Sequence, residues 1–260
     1  MTSMESLARK ITWESLGRRS ESPHKVFCFP FSGGSPLYFR EWGELLPDNI
    51  EMIILSCPGK GARIGEEPID IMDNIVDEIL ACKDVFMEEE YTFFGHSLGA
   101  WVATAVCARL YSMGVPLPRH FIISGSIPLC FRRFPPFVHQ MTDEDLIREL
   151  KVLGGTPEIM LNDLEFMKSF FPGIRADFKL FEQYHYTEKK PLPIDISIWS
   201  GIDDPRVPAG VGHYWKLFFR GNYTERFFEG GHMFIGADSS RSECIEELIG
   251  VVSKDVPELT

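Results

Sequence analysis

The chain has 260 residues, 44% of them apolar and 13% aromatic with 21 phenylalanines, so it carries enough apolar surface to bury a sizeable core. Acidic residues outnumber basic ones 38 to 26, and the resulting formal charge of −12 repels phosphate backbones and argues against nucleic acid as a partner. The six cysteines, at positions 28, 57, 82, 107, 130 and 244, form no CxxC pair and no Cys/His cluster, so neither a disulfide framework nor a metal site is expected.

Residues 1–23 are polar and charged and are expected to form a flexible leader, with one folded domain over residues 24–260. No apolar run near the N-terminus has the form of a secretory signal, and no stretch approaches the roughly 18 apolar residues of a membrane span. The cytoplasm is therefore the expected compartment, and the sequon Asn222-Tyr223-Thr224 is read as chance. From Lys25 onward, short apolar runs rich in β-branched and aromatic residues alternate with helical periodicity. Strands are expected at residues 26–31, 52–55, 91–94, 121–124, 194–199 and 226–228, and helices at 72–87, 98–113 and 242–252. That alternation predicts an α/β fold: a mostly parallel central sheet flanked by helices, with ligands bound beyond the carboxyl ends of the strands.

Residues 141–191 break the alternation, with helical periodicity and no convincing strand. Thr142 can cap a helix whose first turn is acidic and whose face carries Leu146, Leu150 and Leu153, ending at Gly154-Gly155. A second stretch groups Leu164, Met167, Phe170 and Phe171 until Pro172 interrupts it, and a third groups Ile174, Phe178 and Phe181. This helical insertion is expected to act as a lid over a greasy pocket.

The strongest chemical signal is Gly95-His96-Ser97-Leu98-Gly99, which follows the apolar run YTFF and opens a helical segment. A GxSxG sequence in a strand–turn–helix context resembles the nucleophile elbow of the α/β-hydrolase fold. There the serine sits on a strained turn, and small residues two before and two after it let the backbone pass. A serine needs a base, oriented by an acid, and in this fold the chain order is Ser, Asp or Glu, then His. Asp203 and Asp204 follow the strand at 194–199, and His232 ends the Glu229-Gly230-Gly231 loop after the strand at 226–228. His96 is expected to be fixed by the elbow and to point elsewhere. The oxyanion hole is expected from the backbone N–H of Leu98 together with that of Ser32, or alternatively Phe31, in the loop Phe29-Pro30-Phe31-Ser32-Gly33-Gly34.

From about Val26 to Val252 these motifs resemble the type II thioesterases, stand-alone enzymes of polyketide, nonribosomal peptide and fatty acid synthesis. The resemblance is carried by FPFSGGSPLYFREW, CPGKGAR, GHSLGA, LIRELKVLGGTPEIM, FPGIRADF with Arg175 and Asp177, SGIDDP and GGHMF. Two positions depart from the family pattern: Lys60 stands where arginine is common, and Leu98 where methionine is frequent. The resemblance implies that the acid is Asp204 rather than Asp203, and that the bond cut is a thioester. It further implies an acyl group on the phosphopantetheine arm of an acyl carrier protein or carrier domain, a monomer, and no cofactor. Arg132 and Arg133, just before the insertion, are the expected docking point for such an acidic carrier. The same triad could serve a lidded lipase or esterase, or persist in a silent binding protein of the same fold.

Overall fold

The computed structural model describes residues 11–16, 24–86, 90–131 and 135–255. Seven strands form one sheet in the order β1-β3-β2-β4-β5-β6-β7: β1 (Thr12–Leu16), β2 (His24–Phe29), β3 (Ile50–Ser56), β4 (Tyr91–His96), β5 (His120–Ser124), β6 (Asp195–Gly201) and β7 (Tyr223–Phe228). All neighbours pair parallel except β1, which runs antiparallel to β3. This is the mostly parallel, helix-flanked sheet expected of an α/β-hydrolase fold. The chain moves outward from β2 to β3 and then returns to place β4 on the other side of β2, which makes the β2/β4 boundary the switch point of the sheet. No helix among the described residues is long and apolar enough to cross a membrane.

Alternate residues of each central strand feed opposite cores, as the period-2 geometry of a strand requires. On one face Phe27, Phe29, Phe93 and Phe121 pack against α2 (Met72–Leu80) and α3 (Leu98–Met113). On the other, Val26, Cys28, Phe94 and Trp199 pack against Trp42 of α1 (Arg40–Leu45) and against Ile245, Leu248 and Val252 of α8 (Arg241–Asp255). Fully burying a side chain of this size contributes about 1.5–3 kcal/mol, so the two layers hold the frame on which the loops sit.

Three expectations are corrected. Within the supposed leader, residues 12–16 are a paired strand: Trp13 lies edge-on to Phe27 and Phe29 at centroid distances of 5.3 and 5.7 Å, and β1 covers the otherwise open edge of β3. The helix expected over 72–87 stops at Leu80, and a 3-10 turn over Lys83–Phe86 then swings Phe86 into the core, 4.9 Å from the Phe27 ring. Pro172 does not end a helix but begins one; it sits in the first turn of α7 (Phe171–Gln183), where the missing N–H has no intrahelical acceptor to lose.

Between β5 and β6 the described chain carries α4 (Asp143–Leu153), α5 (Glu158–Leu161), α6 (Leu164–Met167) and α7. Thr142 caps α4 by accepting the Asp145 N–H at 3.2 Å. Leu146, Leu150, Leu161, Met167, Phe171, Ile174 and Phe178 form a separate core of this insertion, whereas Phe181 leaves it to pack on Trp101 of α3 at 4.3 Å. The insertion thus has its own apolar interior, and one face of α7 packs it onto the body.

If β1 belongs to the folded body, Trp13→Ala should lower stability by about 1–3 kcal/mol, the order expected for truncating a partly buried aromatic. Urea unfolding that gives an unchanged midpoint would return residues 12–16 to the role of a leader.

Candidate active site

Ser97 directly follows β4 and caps α3 with φ 54° and ψ −119°, and among the described residues it is the one non-glycine with positive φ. Its N–H donates to Ser124 O at 2.8 Å, and its own carbonyl accepts from Ser126 Oγ at 3.0 Å and from the Ala100 N–H at 3.1 Å. The turn is therefore held on both sides. The flanking glycines are required by contact: a Cβ at Gly95 would stand 2.7 Å from Ala100 Cα, and one at Gly99 would stand 1.9 Å from the carbonyl oxygen of Phe29. The second contact shows how closely α3 starts against the end of β2, where the loop from Pro30 to Gly34 begins.

His232 lies between the other two residues singled out in the sequence. Its Nε2 is 3.0 Å from Ser97 Oγ and its Nδ1 is 2.9 Å from Asp204 Oδ2. Both His232 and the Asp204 carboxylate are buried. A carboxylate only accepts, so Nδ1–H donates to Asp204 and Nε2 is left to accept the Ser97 hydroxyl proton. Asp203 is exposed, and its backbone N–H is spent on Gly230 O at 3.0 Å. Ser97, His232 and Asp204 come from the ends of β4, β7 and β6, so parallel pairing of these strands brings residues far apart in the chain to one rim.

Asp204 has a second contact that the sequence reading missed. Its Oδ1 accepts the Arg206 N–H at 2.7 Å, an aspartate-to-i+2 turn whose signal was present in Asp204-Pro205-Arg206. The guanidinium of Arg206 in turn pairs with Glu149 on α4, so the insertion reaches Asp204 through one residue.

His96 does not point away from the site entirely. Its Nδ1 is 2.9 Å from Ser124 Oγ, yet its ring centroid lies 5.3 Å from that of His232. Burial, together with the neighbouring imidazole of His232, pushes its pKa well below the ordinary 6.5. A neutral His96 places no second positive charge beside the His232 ring.

In the loop after β2, the Gly33 N–H donates to Asp177 Oδ2 at 2.7 Å and the Gly34 N–H to Phe31 O at 2.8 Å. Pro30 has no N–H, which leaves Phe31 and Ser32, both lining the cavity beside Ser97, as the candidate donors of this loop. Leu98 is the first residue of α3, and its N–H has no intrahelical acceptor. The cavity has a volume of about 70 Å³; Phe31, Ser32 and Ile127 wall it from the body, and Leu150, Leu153 and Phe178 from the insertion. Arg175 and Asp177 lie on opposite sides of α7, as i and i+2 must. Arg175 donates to His139 O, Met141 O and Asp143 Oδ1 at 3.1, 2.6 and 2.8 Å, whereas Asp177 faces the body. Arg132 and Arg133 lie outside the described residues. Among the described residues no His/Cys/Asp/Glu group has the arrangement to hold a metal ion.

Because the depressed pKa of His96 means that the unfolded chain binds the proton first, stability should be fully present above about pH 6.5 and fall as the pH drops below it. Melting curves from pH 8 to 5 should show this fall, and His96→Gln should flatten it; identical slopes in both proteins would remove His96 as the source.

The model of the Thioesterase domain family matches residues 24–252. The chain is 29% identical over 226 residues to the gramicidin S biosynthesis protein GrsT of Aneurinibacillus migulanus, covering 85% of this chain and 86% of that one. It is 29% identical over 241 residues to the medium-chain S-acyl fatty acid synthase thioesterase of Homo sapiens, covering 90% and 89%. Among solved structures, RedJ, a thioesterase from the prodiginine biosynthetic pathway of Streptomyces coelicolor, aligns with a TM-score of 0.82 at 28% identity, over 89% of this chain and 92% of that one. The family match spans β2 to β7 and every loop described above, and the chain belongs to the thioesterase domain family.

Proposed function

We propose that this protein hydrolyses acyl thioesters borne on the phosphopantetheine arm of a carrier protein, through an acyl-enzyme on Ser97. The observation that carries the mechanism is the hydrogen-bonded series Ser97–His232–Asp204 opening onto a cavity walled by the insertion. His232 Nε2 takes the Ser97 proton as Oγ attacks the acyl carbon, and Asp204 stabilises the imidazolium and keeps its tautomer. The N–H groups of Leu98 and Ser32 receive the oxyanion, aided by the N-terminal dipole of α3. Collapse of the tetrahedral species breaks the C–S bond, and His232 returns the proton to the departing thiolate. Water, deprotonated by His232, then attacks the acyl-enzyme and releases the acid and free Ser97.

Thiolate departure makes a modest demand on the general acid, since an ordinary thiol has a pKa near about 8.5 whereas an alkoxide is far more basic. The choice of a carrier-bound substrate follows the relatives named for gramicidin S biosynthesis and for fatty acid synthase. Arg132 and Arg133 are the proposed contact for an acidic carrier on a chain whose overall charge of −12 would otherwise repel it. A cytoplasmic setting is supported by six cysteines that are all free, five of them buried.

The test is turnover of an acyl-carrier thioester beside the matched oxygen ester, followed by release of free thiol or alcohol. The thioester should be strongly preferred. Ser97→Ala should lower kcat by about a million-fold and Asp204→Asn by about ten-thousand-fold. Equal turnover of both esters would point to a general esterase, and full activity in Ser97→Ala would end the proposal.

A further inference from the structure

Asp177 sits in the middle of α7 and is fully buried, and its two carboxylate oxygens serve different loops. Oδ2 accepts the Gly33 N–H at 2.7 Å, in the loop after β2, and Oδ1 lies 2.7 Å from Lys60 Nζ, in the loop after β3. Burial by itself would lower the Lys60 pKa, but the Asp177 charge and hydrogen bond and the nearby Cys57 more than counter it, so the amine stays above its ordinary value and charged. One turn earlier on the same helix, Gly173 meets the Gly59 carbonyl so closely that a Cβ would stand 2.2 Å from its oxygen. The helix is therefore seated against the Gly59-Lys60 backbone, and its carboxylate cannot withdraw from Gly33 by a small tilt.

Gly33 directly follows Ser32, so whatever fixes the Gly33 N–H fixes the orientation of the peptide plane on the C-terminal side of Ser32. An oxyanion donor accelerates reaction only when it already points at the developing charge and need not reorganise. We propose that Asp177, held by Lys60, is a positioning residue for the oxyanion loop, locking the Ser32–Gly33 peptide so that the Ser32 N–H faces the tetrahedral intermediate on Ser97. The inference rests on the thioesterase mechanism proposed above and adds to it a dependence of transition-state stabilisation on the insertion.

The experiment compares Asp177→Asn, Lys60→Met, Lys60→Arg and the double variant Lys60→Met/Asp177→Leu. Melting temperature, kcat and KM for an acyl thioester are measured, together with inhibition by an alkyl trifluoromethyl ketone. In that adduct the Ser97 Oγ–C bond forms, the hydroxyl proton passes to His232, and the former carbonyl oxygen carries the negative charge. Asp177→Asn and Lys60→Met should lower kcat about 10- to 100-fold with KM within about twofold, and weaken the ketone by a similar factor. Lys60→Arg should restore most of the loss. The double variant replaces a buried ion pair by apolar groups, which commonly recovers stability; its melting temperature should rise above those of the single variants while kcat stays low, because Gly33 has lost its acceptor. If kcat instead recovers in step with melting temperature, or stays at the parental value in folded variants, the pair is only a structural staple and the proposal is overturned. Activity surviving in Ser97→Ala would instead strike the underlying mechanism, so the two failures are separable.

Discussion

The site depends on a backbone held where a residue with a side chain rarely goes. A non-glycine in such a conformation costs on the order of 1–3 kcal/mol and survives only where its surroundings over-determine it. At Ser97 they do: the turn is bonded to Ser124, Ser126 and Ala100, and the helix behind it starts within contact of the Phe29 carbonyl. The strain is carried by the layered core beneath, where Phe29, Phe93 and their neighbours anchor β2 and β4 side by side. The gain is a hydroxyl presented at the tip of the turn with the N-terminus of α3 directly behind it.

The helical insertion is tied to that rim at two points. Through Glu149 and Arg206, α4 reaches the backbone N–H that holds Asp204. Through Asp177 and Lys60, α7 reaches the loop that contains Ser32. Each link includes an ion pair, Lys60–Asp177 almost fully buried and Arg206–Glu149 partly so, where screening by solvent is reduced and loss of one partner leaves a poorly compensated charge. A purely apolar cover could slide over the cavity. These contacts instead register the insertion against the residues on either side of Ser97, while its own core of leucines and phenylalanines keeps the four helices together.

Legibility in the sequence tracked burial and local chemistry. The central strands were visible because they are apolar on both faces, and the elbow because its glycines answer to contacts within five residues or to the adjoining strand end. β7 is legible in the sequence only at residues 226–228, since the strand lies at the sheet edge, is exposed from Thr224 to Phe227, and has polar residues interrupting its apolar pattern. β1 was missed for a related reason: five residues with one aromatic look like leader until β3 is there to pair with them. Pro172 reads as an interruption in the sequence although a proline that breaks a helix interior is welcome in its first turn, and only the start of α7 distinguishes the two cases.

By itself, then, the amino-acid sequence determined the layered α/β class, the nucleophile turn at Ser97 and the candidates for base and acid, because each is written in local spacing and in strand-end position. Only the tertiary structure decided that Asp204 is also held by the Arg206 N–H, that Asp177 and Arg175 serve opposite sides of one helix, and that Lys60 belongs with Asp177. The long contacts of the site join segments brought together by strand pairing and helix docking, at separations of 28 residues for His232 and Asp204 and 144 for Gly33 and Asp177. No periodicity reaches that far, since which side chains meet there is set by where the backbone carries them.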